Sequence, residues 1–362
     1  MPIYQLKDLG WNTFFESYFE HFSQRGFQAG RIAVEHKNQY LLFSEQGELK
    51  GEVAGKLLYT ANAEDLPKVG DWVVLTVFEE EQKAIIHEVL PRQTKISRKV
   101  AGEKTREQVI ASNIDRVFIV QSLDQNFNLN RLERYLVMVY ESGAQPVIIL
   151  NKADLCNDLA GKEAEVAQVA IEVPILIISV TGNRGLDQIR KFLSPGETIA
   201  VVGSSGVGKS SLINALLSEE KQEVKSISTA NTKGRHTTVH RELIFLKEGG
   251  VLVDTPGMRE LQLWESEAGS QEMFSGIEAL AGNCHYSNCS HTQEPGCAVL
   301  EALQQGKISS QHYRNYLKLE KEQAYLKSRE GEQHKYQYRN KEKKLHQEYQ
   351  RIQKYNRRLK DK

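Results

Sequence analysis

Between residues 30 and 90, apolar and polar positions alternate in short bursts. RIAVEHKNQYLLFSEQGELKGEVAG changes character almost every residue, with turn signals at Gln46-Gly47 and Gly51. PKVGDWVVLTV follows, a break and then a β-branched run, and AIIHEVL closes the series. The rhythm predicts about five short strands, which suits a small barrel of the OB type, a frequent oligonucleotide binder. From residue 92 to 110 the pattern collapses into a polar, charged stretch (beginning RQTKISRKVAGEKTREQ) that predicts a linker or mobile loop. Beyond it the period changes. Residues 116–121 (RVFIVQ), 145–150 (QPVIIL), 174–179 (PILIIS), 198–202 (TIAVV) and 250–253 (GVLV) are short apolar runs, separated by helical stretches such as 129–141. Near-continuous apolar strands alternating with amphipathic helices predict a parallel sheet covered on both faces. A cysteine cluster and a long polar helix follow from about Glu272.

Chemistry enters with Gly203-Ser204-Ser205-Gly206-Val207-Gly208-Lys209-Ser210, a full G-x-x-x-x-G-K-[ST] between the strand TIAVV and the helix SLINALL. Its glycines let successive N–H groups face phosphates, and the helix N-terminus adds its positive dipole. Lys209 should reach the β- and γ-phosphates, Ser210 should ligate Mg²⁺, and Ser211 follows in the same turn. Some fifty residues on, Asp254-Thr255-Pro256-Gly257 ends the strand GVLV. Asp254 is expected on the magnesium side, and the Gly257 N–H can sense a γ-phosphate.

The base is assigned by Asn151-Lys152-Ala153-Asp154, which ends the strand QPVIIL and matches the N-K-x-D guanine motif of GTPases. A carboxylate that pairs with guanine is left unmatched by adenine, and such a buried mismatch discriminates strongly. Ser179-Val180-Thr181-Gly182, at the end of PILIIS, is similar to the fifth GTPase motif, whose small residue supports the base. Three further motifs, each at a strand end, make GTP the reading and disfavour an ATPase. The order is 4-5-1-2-3, because the guanine motif precedes the phosphate loop. A parallel sheet tolerates such permutation, since all these loops share one carboxyl edge.

A permuted GTPase domain preceded by an OB-like barrel and followed by a cysteine–histidine cluster resembles the ribosome small-subunit-dependent GTPase A family, over about residues 30–326. The resemblance implies a GTP hydrolase of late 30S maturation that binds the small subunit and its 16S rRNA in the GTP state and leaves after hydrolysis. Thr232-Lys233-Gly234-Arg235-His236-Thr237-Thr238 is similar to the family's second motif, G-x-x-T-T. One threonine should close on Mg²⁺, and spacing favours Thr238 over Thr237. Where Ras-like proteins place a water-orienting Gln, this chain has Met258, which offers no useful hydrogen bond. His236, in the switch and titrating near neutral pH, is the candidate water positioner.

Cys284, Cys289, His291 and Cys297 are spaced C-x₄-C-x-H-x₅-C. Three thiolates and an imidazole suit one tetrahedral, structural Zn²⁺. His285 competes as a ligand, and the family's pattern implies His291. Cys156 is expected in the core of the helix after the guanine motif.

The expected architecture is therefore multidomain. Residues 1–100 form an N-terminal segment and OB-like barrel, 101–112 a linker, 113–268 a circularly permuted α/β P-loop GTPase domain, 269–330 a zinc-binding helical domain, and 331–362 a basic helical tail. Charge sharpens only the last of these. The 362 residues hold 47 Lys+Arg against 47 Asp+Glu, yet the tail has 11 basic residues and four acidic ones. A basic, tyrosine-bearing appendage suits ribosomal RNA. No run approaches the roughly 18 apolar residues of a membrane span, and the first residues lack a signal-peptide pattern, so a cytoplasmic protein is expected, with a monomer as the default. The rival reading is a GTP-gated rRNA-binding scaffold whose hydrolysis is incidental.

Overall fold

The computed structural model describes residues 4–36, 39–62, 65–100, 106–218, 242–246, 249–254, 273–310, 312–318 and 320–321. The chain forms two compact units, residues 1–301 and 302–362. In the second, residues 312–318 are helical, and His312 and Tyr316 are buried.

The first unit opens on helix α1 (Thr13–Ser23), capped by the Asn12 side chain, which accepts from the Phe14 N–H at 3.0 Å. Strands β1 (Gln28–His36), β2 (Gln39–Ser44), β3 (Gly47–Val53), β4 (Trp72–Phe78) and β5 (Lys83–Val89) then pair in the order β1-β2-β3-β5-β4, and β4 returns to β1. The sheet closes on itself as the five-stranded barrel that the alternation predicts. A short helix α2 (Gly55–Thr60) lies between β3 and β4. Inward residues from every strand, Ile32, Leu42, Leu49, Val73, Leu75 and Ile86 among them, form one core.

The segment read as a linker is in fact a hairpin. Strand β6 (Lys95–Val100) pairs antiparallel with β7 (Arg106–Ser112), which leaves five residues between them. Its sequence looks solvated because charged residues are interspersed along it, yet Ile96, Val109, Ile110 and Ala111 are buried while Lys95 is exposed.

The α/β portion follows the apolar runs closely. Strands β8 (Arg116–Ser122), β9 (Gln145–Asn151), β10 (Ile175–Ile177), β11 (Thr198–Val202) and β13 (Val251–Asp254) are parallel in the order β10-β9-β8-β11-β13. Strand β12 (Glu242–Phe245) runs antiparallel beside β13 and also pairs with β1 through Val34 and Glu242. One hydrogen-bonded ladder thus continues from the α/β sheet into the barrel. Helices α3 (Leu129–Ser142), α4 (Leu159–Ala167), α5 (Leu186–Arg190) and α6 (Lys209–Ser218) join the strands. On one face, Phe118, Val120, Val147, Ile149, Ile199 and Val201 pack with Leu212 and Leu216 of α6 and Ile189 of α5. Each such fully buried side chain contributes about 1.5–3 kcal/mol.

Side chains lock the barrel to this body. Arg31 is fully buried and bonds to three carbonyls: Leu9 of the N-terminal segment, Gly70 of the barrel at 3.2 Å, and Asn113 at the entry to β8 at 2.9 Å. Burial pushes its guanidinium down to about 10, against the pull of Asp115 and Asp71. Asp71, itself buried, takes a two-pronged ion pair from Arg92 at 2.8 and 2.7 Å and a hydrogen bond from Ser112. Tyr4 stacks on Phe245 of β12 and meets Phe43 of β2, with both ring centroids at 5.1 Å.

Candidate functional site

The strand registers carry Ser122, Asn151, Gly203 and Asp254 to one carboxyl edge of the sheet, with Ser179 just beyond β10. Positions widely separated in the chain therefore share one edge, the edge at whose crevice open α/β sheets bind their ligands.

The phosphate loop runs from buried Gly203 through Ser204 and exposed Ser205 and Gly206 to buried Val207 and to Gly208. Glycine is required twice. At Gly203, φ is +145° and a Cβ would lie 2.3 Å from the Val120 carbonyl. At Gly208, φ is +99° and a Cβ would lie 2.2 Å from Asn151 Nδ2. Asn151 Nδ2 donates to the Val207 carbonyl at 2.9 Å, while its Oδ1 accepts from the Val180 N–H at 3.3 Å. One buried amide thus ties the phosphate loop, the guanine motif and the fifth motif together. Lys209 Nζ folds back on the carbonyls of Gly203 and Ser204, both at 2.6 Å. Ser210 and Ser211 lie exposed in the first turn of α6.

At the base end, Lys152 adopts φ +62°, and its Nζ donates to Asp124 Oδ2 at 2.8 Å. Ala153 is buried, and its N–H bonds to the Ile178 carbonyl at 3.0 Å, which fixes the motif against β10. Asp154 is exposed, ready to face a ligand, and accepts from the buried Ser179 hydroxyl. That bond holds its carboxyl below the usual carboxylate range. Ser179 Oγ also accepts from the Gly182 N–H at 2.9 Å and meets Thr181 Oγ1 at 3.3 Å, so the fifth motif aims the fourth.

Asp124 and Arg131 escaped the sequence reading. Burial pushes the Asp124 carboxyl up, but hydrogen bonds from Lys152, Ser122 and Asn126 prevail and hold it at about 2. Arg131, in the first turn of α3, donates through NH1 to Ser204 Oγ at 2.7 Å. Neither belongs to a motif; their only signal is position, just after a strand whose end reaches the crevice. Asp254 ends β13 with its backbone at the edge. Thr237, Thr238, His236, Gly257, Met258 and the 331–362 tail lie outside the described residues.

Cys284, Cys289, His291 and Cys297 gather with their ligand atoms all within 4.8 Å of one another. Cys284 and Cys297 Sγ are 3.8 Å apart, and each lies 3.5 Å from His291 Nδ1. A tetrahedron with Zn–S bonds of about 2.3 Å has S–S edges of about 3.8 Å, so the donor set fits that ion in both type and spacing. His285 is outside the cluster, with its ring against Tyr286. The Leu300 N–H, in the first turn of the helix Ala298–Gln304, donates to Cys297 Sγ at 3.5 Å and fixes that sulfur at the helix N-terminus. Glu294 shapes the turn inside the cluster by accepting from the N–H groups of Ser290, Thr292 and Gln293 at 2.9–3.0 Å. Cys156 departs from expectation: it is half-buried and extended, between the 3-10 turn Ala153–Leu155 and α4 rather than inside a helix.

The RsgA GTPase family matches residues 89–264. The ABC transporter family matches residues 186–360, a stretch that includes the phosphate loop but not the guanine motif. A protein named small ribosomal subunit biogenesis GTPase RsgA, from Opitutus terrae, is 44% identical over 90% of this chain and 91% of its own length. Another, RsgA 2 from Lactiplantibacillus plantarum, is 46% identical over 85% and 87%. The crystal structure of YjeQ from Thermotoga maritima superposes with a TM-score of 0.62 and 26% identity, covering 81% of this chain and 97% of that one. That of YloQ, a circularly permuted GTPase, shares the fold, with a TM-score of 0.61 and 24% identity over 82% and 94%. Among the described residues, no helix is long and apolar enough to cross a membrane.

Proposed function

Because the chain belongs to the RsgA GTPase family and is a GTP hydrolase, we propose that it acts in late maturation of the 30S ribosomal subunit as a ribosome-activated GTPase. It binds the immature small subunit in its GTP form, hydrolyses GTP when that contact completes the site, and dissociates with GDP. The observation that carries this reading is the convergence of residues 151–154, Ser179, 203–210 and Asp254 on one edge of a sheet continuous with the barrel. Whatever the barrel grips is thereby connected through backbone to the nucleotide loops.

Within the crevice, Asp154 recognises guanine, and Lys209 with the N–H groups of residues 203–211 takes the phosphates. Ser210, Thr238 and Asp254 would hold the magnesium that accompanies GTP, which would supply positive charge to the phosphates. His236 positions the attacking water, in the role that Met258 cannot fill. The four residues Cys284, Cys289, His291 and Cys297 hold one structural zinc. Barrel and basic tail contact 16S rRNA, and the protein works in the cytoplasm as a monomer.

GTP turnover measured alone, with 30S and with 50S subunits, using Lys209→Ala as the blank, tests the reading. Stimulation on the order of a hundredfold by 30S alone is expected. Turnover indifferent to both subunits would overturn it. His236→Ala should lower the stimulated kcat by at least about tenfold, with GTP affinity unchanged.

A further inference from the structure

The connection from β8 into α3, residues 122–131, lies between the two ends of the nucleotide crevice and carries none of the recognised motifs. At its start, Ser122 Oγ and the Asn126 N–H both donate to Asp124 Oδ1, at 2.7 and 2.9 Å. That leaves Oδ2 turned to Lys152 Nζ at 2.8 Å. Lys152 already sits in a left-handed backbone conformation, so its side chain leaves from a fixed root. At the far end, Asn128 caps α3 by accepting from the Arg131 N–H at 3.0 Å, and Gln121 Nε2 holds the Asn128 carbonyl at 3.3 Å. This anchors the arginine whose NH1 reaches Ser204 Oγ.

Ser204 is consequently held by two cations, Arg131 on its hydroxyl and Lys209 on its carbonyl. The two bonds have different fates when a nucleotide arrives. Phosphates draw Lys209 away from the loop carbonyls, because an anion is the stronger acceptor. The hydroxyl is not in that competition, so the Arg131 bond can persist and keep the loop curled. The Lys152–Asp124 pair is likewise more than a surface contact: its side chains are only 27% and 20% exposed, and three donors, Ser122, Asn126 and Lys152, hold the two Asp124 oxygens.

We propose that residues 122–131 brace the nucleotide site from outside its motifs, with Asp124 positioning Lys152 at the base end and Arg131 positioning Ser204 at the phosphate end. The inference rests on the nucleotide reading above. It assigns separate duties to the two residues, and a truncation series of nucleotides separates them.

In the full chain, Asp124→Asn keeps an oxygen for Ser122 and Asn126 but turns an amide N–H₂ toward the Lys152 ammonium. Competition binding of GTP, GDP and GMP should show all three weakened by one common factor of about ten. Arg131→Gln should weaken GTP and GDP about tenfold and GMP far less. Ser204→Ala should reproduce that profile, and the double variant should be no worse than either single one, because the two act through one bond. Wild-type affinities in Asp124→Asn or Arg131→Gln would overturn the brace. So would an Arg131→Gln loss equal for all three nucleotides, which would mean general damage to the fold. A loss far exceeding that of Ser204→Ala would also overturn it, since the guanidinium would then touch phosphate directly. Lys209→Ala keeps the two levels apart. If it binds GTP as tightly as the parent, the nucleotide reading itself fails; if it loses GTP while the brace variants do not, only the brace fails.

Discussion

Two regions are attached to the nucleotide-binding body by opposite means. The barrel is joined by many modest contributions: the β1–β12 pairing, the Arg31 bonds to three separate carbonyls, the Asp71–Arg92 ion pair, and the stacked rings of Tyr4, Phe43 and Phe245. Among the described residues, the cysteine–histidine cluster is ordered by local contacts instead. Residues 282–297 contain no strand; they are held by the four gathered ligand atoms, the Glu294 turn and short-range backbone bonds such as His285 N–H to the Gly296 carbonyl at 3.1 Å. One region is specified by burial spread along the chain, the other by four donors at one point. Stability should therefore be delocalised in the first and switchable in the second.

Metal removal is the strongest way to break that symmetry. Zinc-bound clusters of this type owe roughly 10–16 kcal/mol of apparent free energy to the ion. Chelation should raise hydrogen exchange over residues 284–304 toward the unfolded rate and leave the barrel strands protected. If the cluster keeps its protection without metal, its packing rather than its ligands holds it, and the contrast collapses. The reciprocal test is Arg31→Met. Three buried carbonyls each lose a donor, Gly70 alone retaining one from Asn113 Nδ2 at 3.1 Å among the bonds described, and the buried carboxylate of Asp71 loses a neighbouring charge, at a cost of about 3–5 kcal/mol. Thermal unfolding of the barrel and α/β body should drop accordingly, with metal stoichiometry unchanged. A drop that also expelled the metal would show the two regions to be one cooperative unit.

The same contrast explains what could be read in advance. Residues 203–210, 151–154 and the C-x₄-C-x-H-x₅-C run are legible because their chemistry demands particular residue types at fixed local spacing. The barrel strands and the apolar runs of the parallel sheet are legible from period. What escaped is long-range. The charges strewn from Lys95 to Glu107 make β6 and β7 look solvated in sequence, and nothing local marks Ile96, Val109, Ile110 and Ala111 as buried. Strand β12 is four residues long, and its partner β1 lies about two hundred positions away. Arg31 and Asp71 each look like ordinary surface charges until the fold brings Arg92, Ser112 and three carbonyls around them. Asp124 and Arg131 acquire meaning only through the loops they touch. Local spacing encodes ligand chemistry, whereas the scaffold that aims it is encoded in contacts with no local signature.

The smallest expected effect probes the seam at its edge. Tyr4 lies over Phe43 and Phe245, with its hydroxyl donating to Glu48 Oε1 at 3.4 Å. Burial first, and then the Glu48 charge and hydrogen bond, push its phenol up to about 12 from an ordinary 10. Since the folded value lies above the unfolded one, this contribution is complete below about pH 10 and disappears as pH climbs through about 12. Tyr40, on β2, is raised to about 12 by burial as well. Tyrosinate absorbance should therefore show late-ionising phenols beyond the main wave, and Tyr4→Phe should remove one of them while nucleotide and metal binding stay as they were. If Tyr4 instead ionises with the exposed tyrosines, the N-terminal segment does not close over the junction of β2 and β12. Among the described residues, the ladder, the Arg31 bonds and the Asp71–Arg92 ion pair would remain to attach the barrel, and the difference between the two regions would narrow from many contacts against four ligands to a few against four.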